Sequence, residues 1–450
     1  MKNESVFWVL LAAVGAGFGF LVAFGASGAA IVLVIAIGTL LISAVGRTMR
    51  RDVDAKWIAT WITLGFVAKM AGTFARYYMV MYLYGAGDSL RYYSVAVQMA
   101  EVWKSGNIPS LSGNGSLGTQ VVEATTGGIF AIATPSLLGG FVLFAILSYF
   151  GQLGLYAAFR RWAQPHQLKP YAFLVLFLPT YAFWPSSIGK DALVVLFLGL
   201  AAYSISRLME NFELRWVLPV ALSMGGLGLI RIHVAALVAL ALVGTVIISK
   251  LRFGAGFLVK GRKFLTFAGA AAAVVVAVTL IPDIVGLELS SADDIAPFTE
   301  EITRRTSEDG TVASGNPVRS IIDVPAALAL VLFRPFIFEA SQLQHLLAAA
   351  ETTFILLLTV WKFPSIIRNW GQWRRNGYLV FCTLYTLGFA VVFSVVRNLG
   401  IIARQRGQVL AFFLAVVIGL GWNETKKARE RRMESERVMP DPEPGMALHR

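Results

Sequence analysis

The sequence predicts an all-α fold, a polytopic bundle of about twelve membrane-crossing helices with two longer extracytoplasmic segments. Three observations predict it. The 450 residues are 57% hydrophobic and 14% charged, against about 45–50% and about 25% in soluble domains. Mean hydropathy is +0.68, and a water-soluble body of this size cannot bury that much apolar surface. The apolar residues also fall in runs of membrane-crossing length, and a helix satisfies its own backbone in lipid. A large aqueous domain is excluded. The lone Cys382 excludes a disulfide framework and a thiolate metal site.

A span takes about 20 apolar residues. The runs 7–25, 28–46, 57–84, 135–159, 264–281, 340–361, 378–396 and 407–422 qualify. Lys2 and Ala26-Ser27-Gly28 around the first imitate a cleaved leader, but the second run follows at once, so an uncleaved hairpin is expected. Two more runs, 170–208 and 216–248, are too long for one crossing. As straight helices they would reach about 58 and about 50 Å, across a core of about 30 Å. Polar residues interrupt each: Trp184-Pro185-Ser186-Ser187-Ile188-Gly189-Lys190-Asp191 in the first and Arg231-Ile232-His233 in the second. Both read as hairpins, which brings the count to twelve helices in one bundle over 1–422.

The net charge of +13 invites a nucleic-acid reading. Its distribution argues otherwise. With the N-terminus in the cytoplasm, the inner turns and the 423–450 tail collect most of the 39 basic residues, while Asp283, Glu288, Asp293, Asp294, Glu300 and Glu301 fall outside. This is the positive-inside pattern. It predicts an integral plasma (inner) membrane protein with both termini cytoplasmic, touching anionic lipids at its cytoplasmic face, and no nucleic-acid partner. The basic tail reads as a solvated, disordered extension.

Two outer segments, about 85–134 and 283–323, exceed connecting length. Tyr93, Val97, Ala100 and Val102 beside Arg91, Glu101 and Lys104 predict an amphipathic surface helix over 90–103. The following 107–128 stretch, rich in Gly, Ser and Asn, reads as a mobile loop. Asp323-Val324-Pro325 predicts a helix start, and the apolar 326–333 is too short to cross, so it reads as an interfacial or re-entrant helix.

Under this topology Asp88, Arg91, Lys190, Asp191, Arg231, His233, Arg334, Glu339, Arg397, Arg404 and Arg406 all lie on the outer face. Each has a structural reading: arginines at span ends reach toward headgroups, Asp88 can cap a turn, and His233 can pack. Together they are harder to explain, because positive-inside bias should deplete the outer face of cations. Lys190, Arg231, Arg334, Arg397, Arg404 and Arg406 point to a bound anion, and the helix start after Ser186 and Ser187 adds free N–H groups. Metal binding has little support, with no cysteine cluster and no histidine pair at ligand spacing. No cofactor is expected, and a divalent cation remains open. Deeper charges are Lys69 and Arg76, which share a helix face, and Glu351, for which a Lys69–Glu351 ion pair is one explanation.

An anion embedded in a membrane yet reaching its outer surface is a phospholipid or a polyprenyl phosphate. The fitting chemistry is glycosyl transfer from a lipid-linked sugar to a glycan acceptor. Cations would stabilise the phosphate or diphosphate leaving group, and Asp88, with Asp191 and Glu339 as alternatives, would take the proton of the attacking hydroxyl. A transporter or lipid-linked oligosaccharide flippase explains Lys69, Arg76 and Glu351 better, and a non-enzymatic scaffold is a third reading.

Gly87-Asp88-Ser89-Leu90-Arg91-Tyr92-Tyr93, after a span and leading into an amphipathic segment, resembles the first outer loop of polytopic GT-C glycosyltransferases. The resemblance implies a catalytic base at Asp88 and a polyprenyl-phosphate sugar as donor. It extends to no other residue. Two spans precede that helix here, where the family's acid usually follows the first. Phe183-Trp184-Pro185-Ser186-Ser187-Ile188-Gly189-Lys190-Asp191-Ala192, Phe333-Arg334-Pro335-Phe336 and Arg404-Gln405-Arg406 resemble membrane proteins of bacterial exopolysaccharide clusters, which include polymerase-like and transferase-like members.

Overall fold

The computed structural model describes residues 38, 57–85, 87–107, 116–132, 134–210, 213–250, 321–340, 343–394, 396 and 398–422. The expected spans 7–25, 28–46 (Gly38 apart) and 264–281, most of the 283–323 segment and the 423–450 tail lie outside these residues. Among the described residues the chain is helical, with no β-strand.

In chain order the helices are α1 Ile58–Tyr78, α2 Asp88–Lys104, α3 Leu117–Ile132, α4 Leu137–Arg160, α5 Pro165–Phe177, α6 Pro179–Phe183 and α7 Lys190–Glu210. They continue with α8 Val217–Ile230, α9 Ile232–Lys250, α10 Val324–Phe333, α11 Leu343–Trp373, α12 Gly377–Phe393, α13 Leu399–Gln405 and α14 Leu410–Gly421. Ile58–Tyr84 (α1 and its π-helical last turn), α4, α7 and His345–Trp373 are long and apolar enough to cross a membrane, and α13 with α14, bent by 59°, makes a fifth if counted as one span.

Among the described residues that is fewer than the nine spans the sequence suggests there. Both long runs do divide at their polar residues, but of the pieces only α7 has spanning length. Division at Arg231 leaves α8 and α9 with 14 and 19 residues, about 21 and about 28 Å. The 170–208 run breaks a second time, between α5 and α6. Leu178, forced out of the helical region by the proline that follows it, has ψ 135 there.

The outer segment corrects another expectation. The amphipathic helix forms as α2, but much of the supposed loop is α3, packed along α2 and against α8. Its glycines are contact points rather than turn residues. A Cβ on Gly127 would meet Met99, and one on Gly118 would overlap the carbonyl of Ile230.

Small residues also set the main crossing. Helices α4 and α7 touch backbone to backbone: a Cβ on Gly151 would overlap the Val195 carbonyl, and one on Gly199 would overlap Gly151. Close approach of this kind drives helix association where lipid offers no hydrophobic effect.

The non-helical stretch between α6 and α7 is buried, with Trp184, Ser186 and Ile188 all in the interior. Irregular backbone at such depth is tolerated only where protein satisfies its polar groups. Lys69 Nζ donates to the carbonyls of Tyr181 (2.7 Å) and Pro185 (3.2 Å). Gln152 Nε2 donates to Tyr181 O (2.9 Å) and Ser148 Oγ to Pro185 O (2.6 Å). The Lys69–Glu351 ion pair is therefore not formed; Lys69 braces this loop, and Glu351 has other partners.

Gly199→Val should wedge α4 from α7 and destabilise the protein by about 1–3 kcal/mol or more. Gly225→Val on α8, where a Cβ meets nothing within 4 Å, is the control. Thermal unfolding in detergent should separate the two by several degrees.

Candidate functional site

Four chain segments are drawn together by charge. Asp191 lies in the first turn of α7, where the buried loop releases the chain into a helix. Arg231 occupies the joint between α8 and α9 with φ −148 and ψ 86, so the helix stops there. Arg404 is in the last turn of α13. Asp88 opens α2, after Gly87, whose φ of 141° favours glycine.

Arg231 Nη2 donates to Asp191 Oδ1 at 2.7 Å, and Arg404 Nε donates to Asp191 Oδ2. The other side of the Arg404 guanidinium reaches Asp88: Nη1 donates to Oδ2 at 2.8 Å. Asp191 is buried, its side chain 9% exposed, whereas that of Asp88 is 56% exposed. The network runs from a buried carboxylate to an accessible one.

Two more cations border it. The Arg76 guanidinium lies over the rings of Phe183 and Trp184, 5.2 and 5.1 Å from their centroids, within electrostatic range of Arg404, Asp191 and Asp88. Lys190 Nζ donates to Ser116 Oγ at 2.8 Å and feels Arg231, Asp88, Arg404 and Asp191. At the edge, Arg91 Nε stands 3.9 Å from Glu123 Oε1 on α3. Burial pushes the Glu123 carboxyl above its usual range against the opposing pull of Arg91 and Lys190.

Among the described residues Arg76, Arg91, Lys190, Arg231 and Arg404 face Asp88, Glu123 and Asp191. The cluster carries an excess of two positive charges. Among the described residues Arg231 Nη1 and Arg76 Nε are buried without a hydrogen-bond partner.

Arg334, Glu339 and Arg406 belong to a second group. Arg334 donates through Nε and Nη2 to the Glu339 carboxylate, which also accepts from the Phe336 amide at 2.9 Å. Burial alone would raise that carboxyl, but the bonds from Arg334 and Phe336 outweigh it and hold Glu339 below the usual range. Arg406 is fully buried. Its Nη1 donates to the Arg334 carbonyl (2.9 Å) and its Nη2 to Thr180 Oγ1 (3.1 Å), 3.6 Å from Glu351 Oε2. Glu351 accepts in turn from the Thr180 amide and hydroxyl at 3.0 and 2.9 Å.

Of the residues singled out in sequence, the structure thus brings Asp88, Lys190, Asp191, Arg231 and Arg404 together, with Arg91 at the edge. His233 is exposed and packs edge-on against Phe393. Arg397 lies outside the described residues. Arg76 and Glu123 were missed as members of the cluster. Arg76 reads as mid-span within 57–84, yet regular α-helix ends at Tyr78 and places it in the last turn; a π-helical turn supplies the remaining length. Among the described residues no three His, Cys, Asp or Glu side chains gather as a metal site.

Compared with models of protein families, with curated proteins and with solved structures, the chain finds no match. The class follows from the molecule itself: an all-helical protein with helices apolar enough to cross a membrane, carrying a cation-rich cluster around one accessible carboxylate.

Asp191→Ala would strand two largely buried guanidiniums and is expected to cost about 3–5 kcal/mol. Asp88→Ala, at an exposed pair, should cost at most about 1 kcal/mol. Denaturation of the two variants in micelles measures the difference.

Proposed function

We propose that this chain is a glycosyltransferase or polysaccharide polymerase of the plasma membrane, with about twelve spans. It would transfer a sugar from a polyprenyl-phosphate-linked donor to a glycan acceptor at the extracytoplasmic face. The observation that carries the reading is the excess of two positive charges beside an accessible carboxylate. As the sugar's anomeric carbon bonds to the acceptor oxygen, its bond to the phosphate oxygen breaks and the electron pair stays on the phosphate. The leaving group gains a negative charge, and preorganised cations stabilise that change most.

Asp88 takes the acceptor's hydroxyl proton. Of the three candidate acids it alone is accessible: Asp191 is buried between Arg231 and Arg404, and Glu339 is engaged by Arg334 and Phe336. Lys190, Arg231 Nη1 and Arg76 are the groups with capacity left for phosphate, while Arg404 positions Asp88. Arg91, at the edge of the cluster, and the exposed His233 would orient the acceptor. Arg334 and Arg406 are engaged by Glu339, Thr180 and Glu351 and would not meet the phosphate.

A transporter or flippase draws less support. Among the described residues Lys69 is held by carbonyls, and Glu351 by Thr180 and Arg406, so neither offers a charge to a passing ion.

The test is incubation of purified protein in nanodiscs with radiolabelled polyprenyl monophosphate and diphosphate sugars. Product should form with the wild type, and Asp88→Asn should lower kcat at least about 100-fold with unfolding unchanged. Full turnover in Asp88→Asn removes Asp88 from the mechanism. Passage of the labelled lipid between leaflets without product would favour the flippase.

A further inference from the structure

Fifteen residues before Arg76, about 22 Å along α1, lies Trp61, and beside it an apolar groove with a cavity volume of about 460 Å³. Phe173 on α5 and Phe354 and Leu358 on α11 line its open apolar length, and Trp61, Lys169 and Trp422, each near a helix end, line its mouth. The volume falls in the range of ligand pockets, about 300–1,000 Å³. Lys190, Arg231 and Arg404 do not line it, so it is separate from the charged cluster.

The mouth is positive. Lys169 Nζ lies 5.4 Å from the centroid of the Trp61 ring, and Lys362 Nζ lies 3.9 Å from that of Trp422. Neither ammonium has a carboxylate partner among the described residues, and no acidic side chain lines the groove. A cation over an aromatic face keeps N–H donors for an anion. The level is that of an interface: Trp61 stands in the first turn of α1 and Trp422 just beyond α14. Tryptophans collect at that depth.

An apolar trough running inward from two ammonium groups at headgroup level matches one class of molecule. We propose that the groove binds an acyl chain of an anionic phospholipid whose phosphate sits between Lys169 and Lys362. The proposal is independent of the transfer reaction.

Native mass spectrometry of the detergent-purified full chain, titrated with phosphatidylglycerol and phosphatidylcholine of identical chains, tests it. The wild type should retain one phosphatidylglycerol with about tenfold preference. Lys169→Ala with Lys362→Ala, both outside the charged cluster, should bring that preference near unity. Leu358→Trp, filling the trough, should release the lipid. Equal retention of the two lipids by the wild type, or an undiminished preference in the double variant, would overturn the proposal. So would stoichiometric displacement of phosphatidylglycerol by polyprenyl phosphate, which would assign the groove to the donor's tail.

Discussion

A buried carboxylate between two arginines organises the charged end of this molecule. Asp191 stands where the chain leaves an irregular, buried stretch and becomes α7, and its two oxygens take Arg231 from the α8–α9 joint and Arg404 from α13. Neither arginine could remain largely buried without it, because an unpaired interior charge is too costly. The carboxylate depends in turn on the loop before it. That loop keeps its shape because Lys69, Ser148 and Gln152 supply donors to its carbonyls.

Cations singled out in the sequence differ in what they have left to offer. Arg334 and Arg406 are absorbed by Glu339, Thr180 and Glu351, and Arg404 by two aspartates. The number of arginines that the sequence offers therefore overstates the positive field. What a ligand meets is the remainder, carried by Lys190, Arg231 Nη1 and Arg76.

Much of this was legible beforehand. The breaks at 184–191 and 231–233 could be read because polar residues inside an apolar run must leave the lipid, and α2 could be read from its two faces. Helix α3 could not. Gly118 and Gly127 signal a loop in water, yet between packed helices the same residues permit contact, and composition does not distinguish these. Which apolar pieces make a full crossing was less accessible, since apolar length does not reveal a second break such as the one at Leu178. Ion pairing was the least accessible. Lys69 and Glu351 looked like natural partners by depth, but Lys69 meets the carbonyls of Tyr181 and Pro185, and Glu351 meets Thr180 and Arg406, and only the packed fold determines which donor meets which acceptor.

The glycine crossing of α4 and α7 leaves no clearance for even a methyl group. Two rods in such intimate register brace each other, and Asp191 is mounted on one of them. Any accommodation of an incoming molecule then falls to the lighter parts that merely lean on it, α2 carrying Asp88 and the seven-residue α13 carrying Arg404. The anchor holds still while the arms adjust.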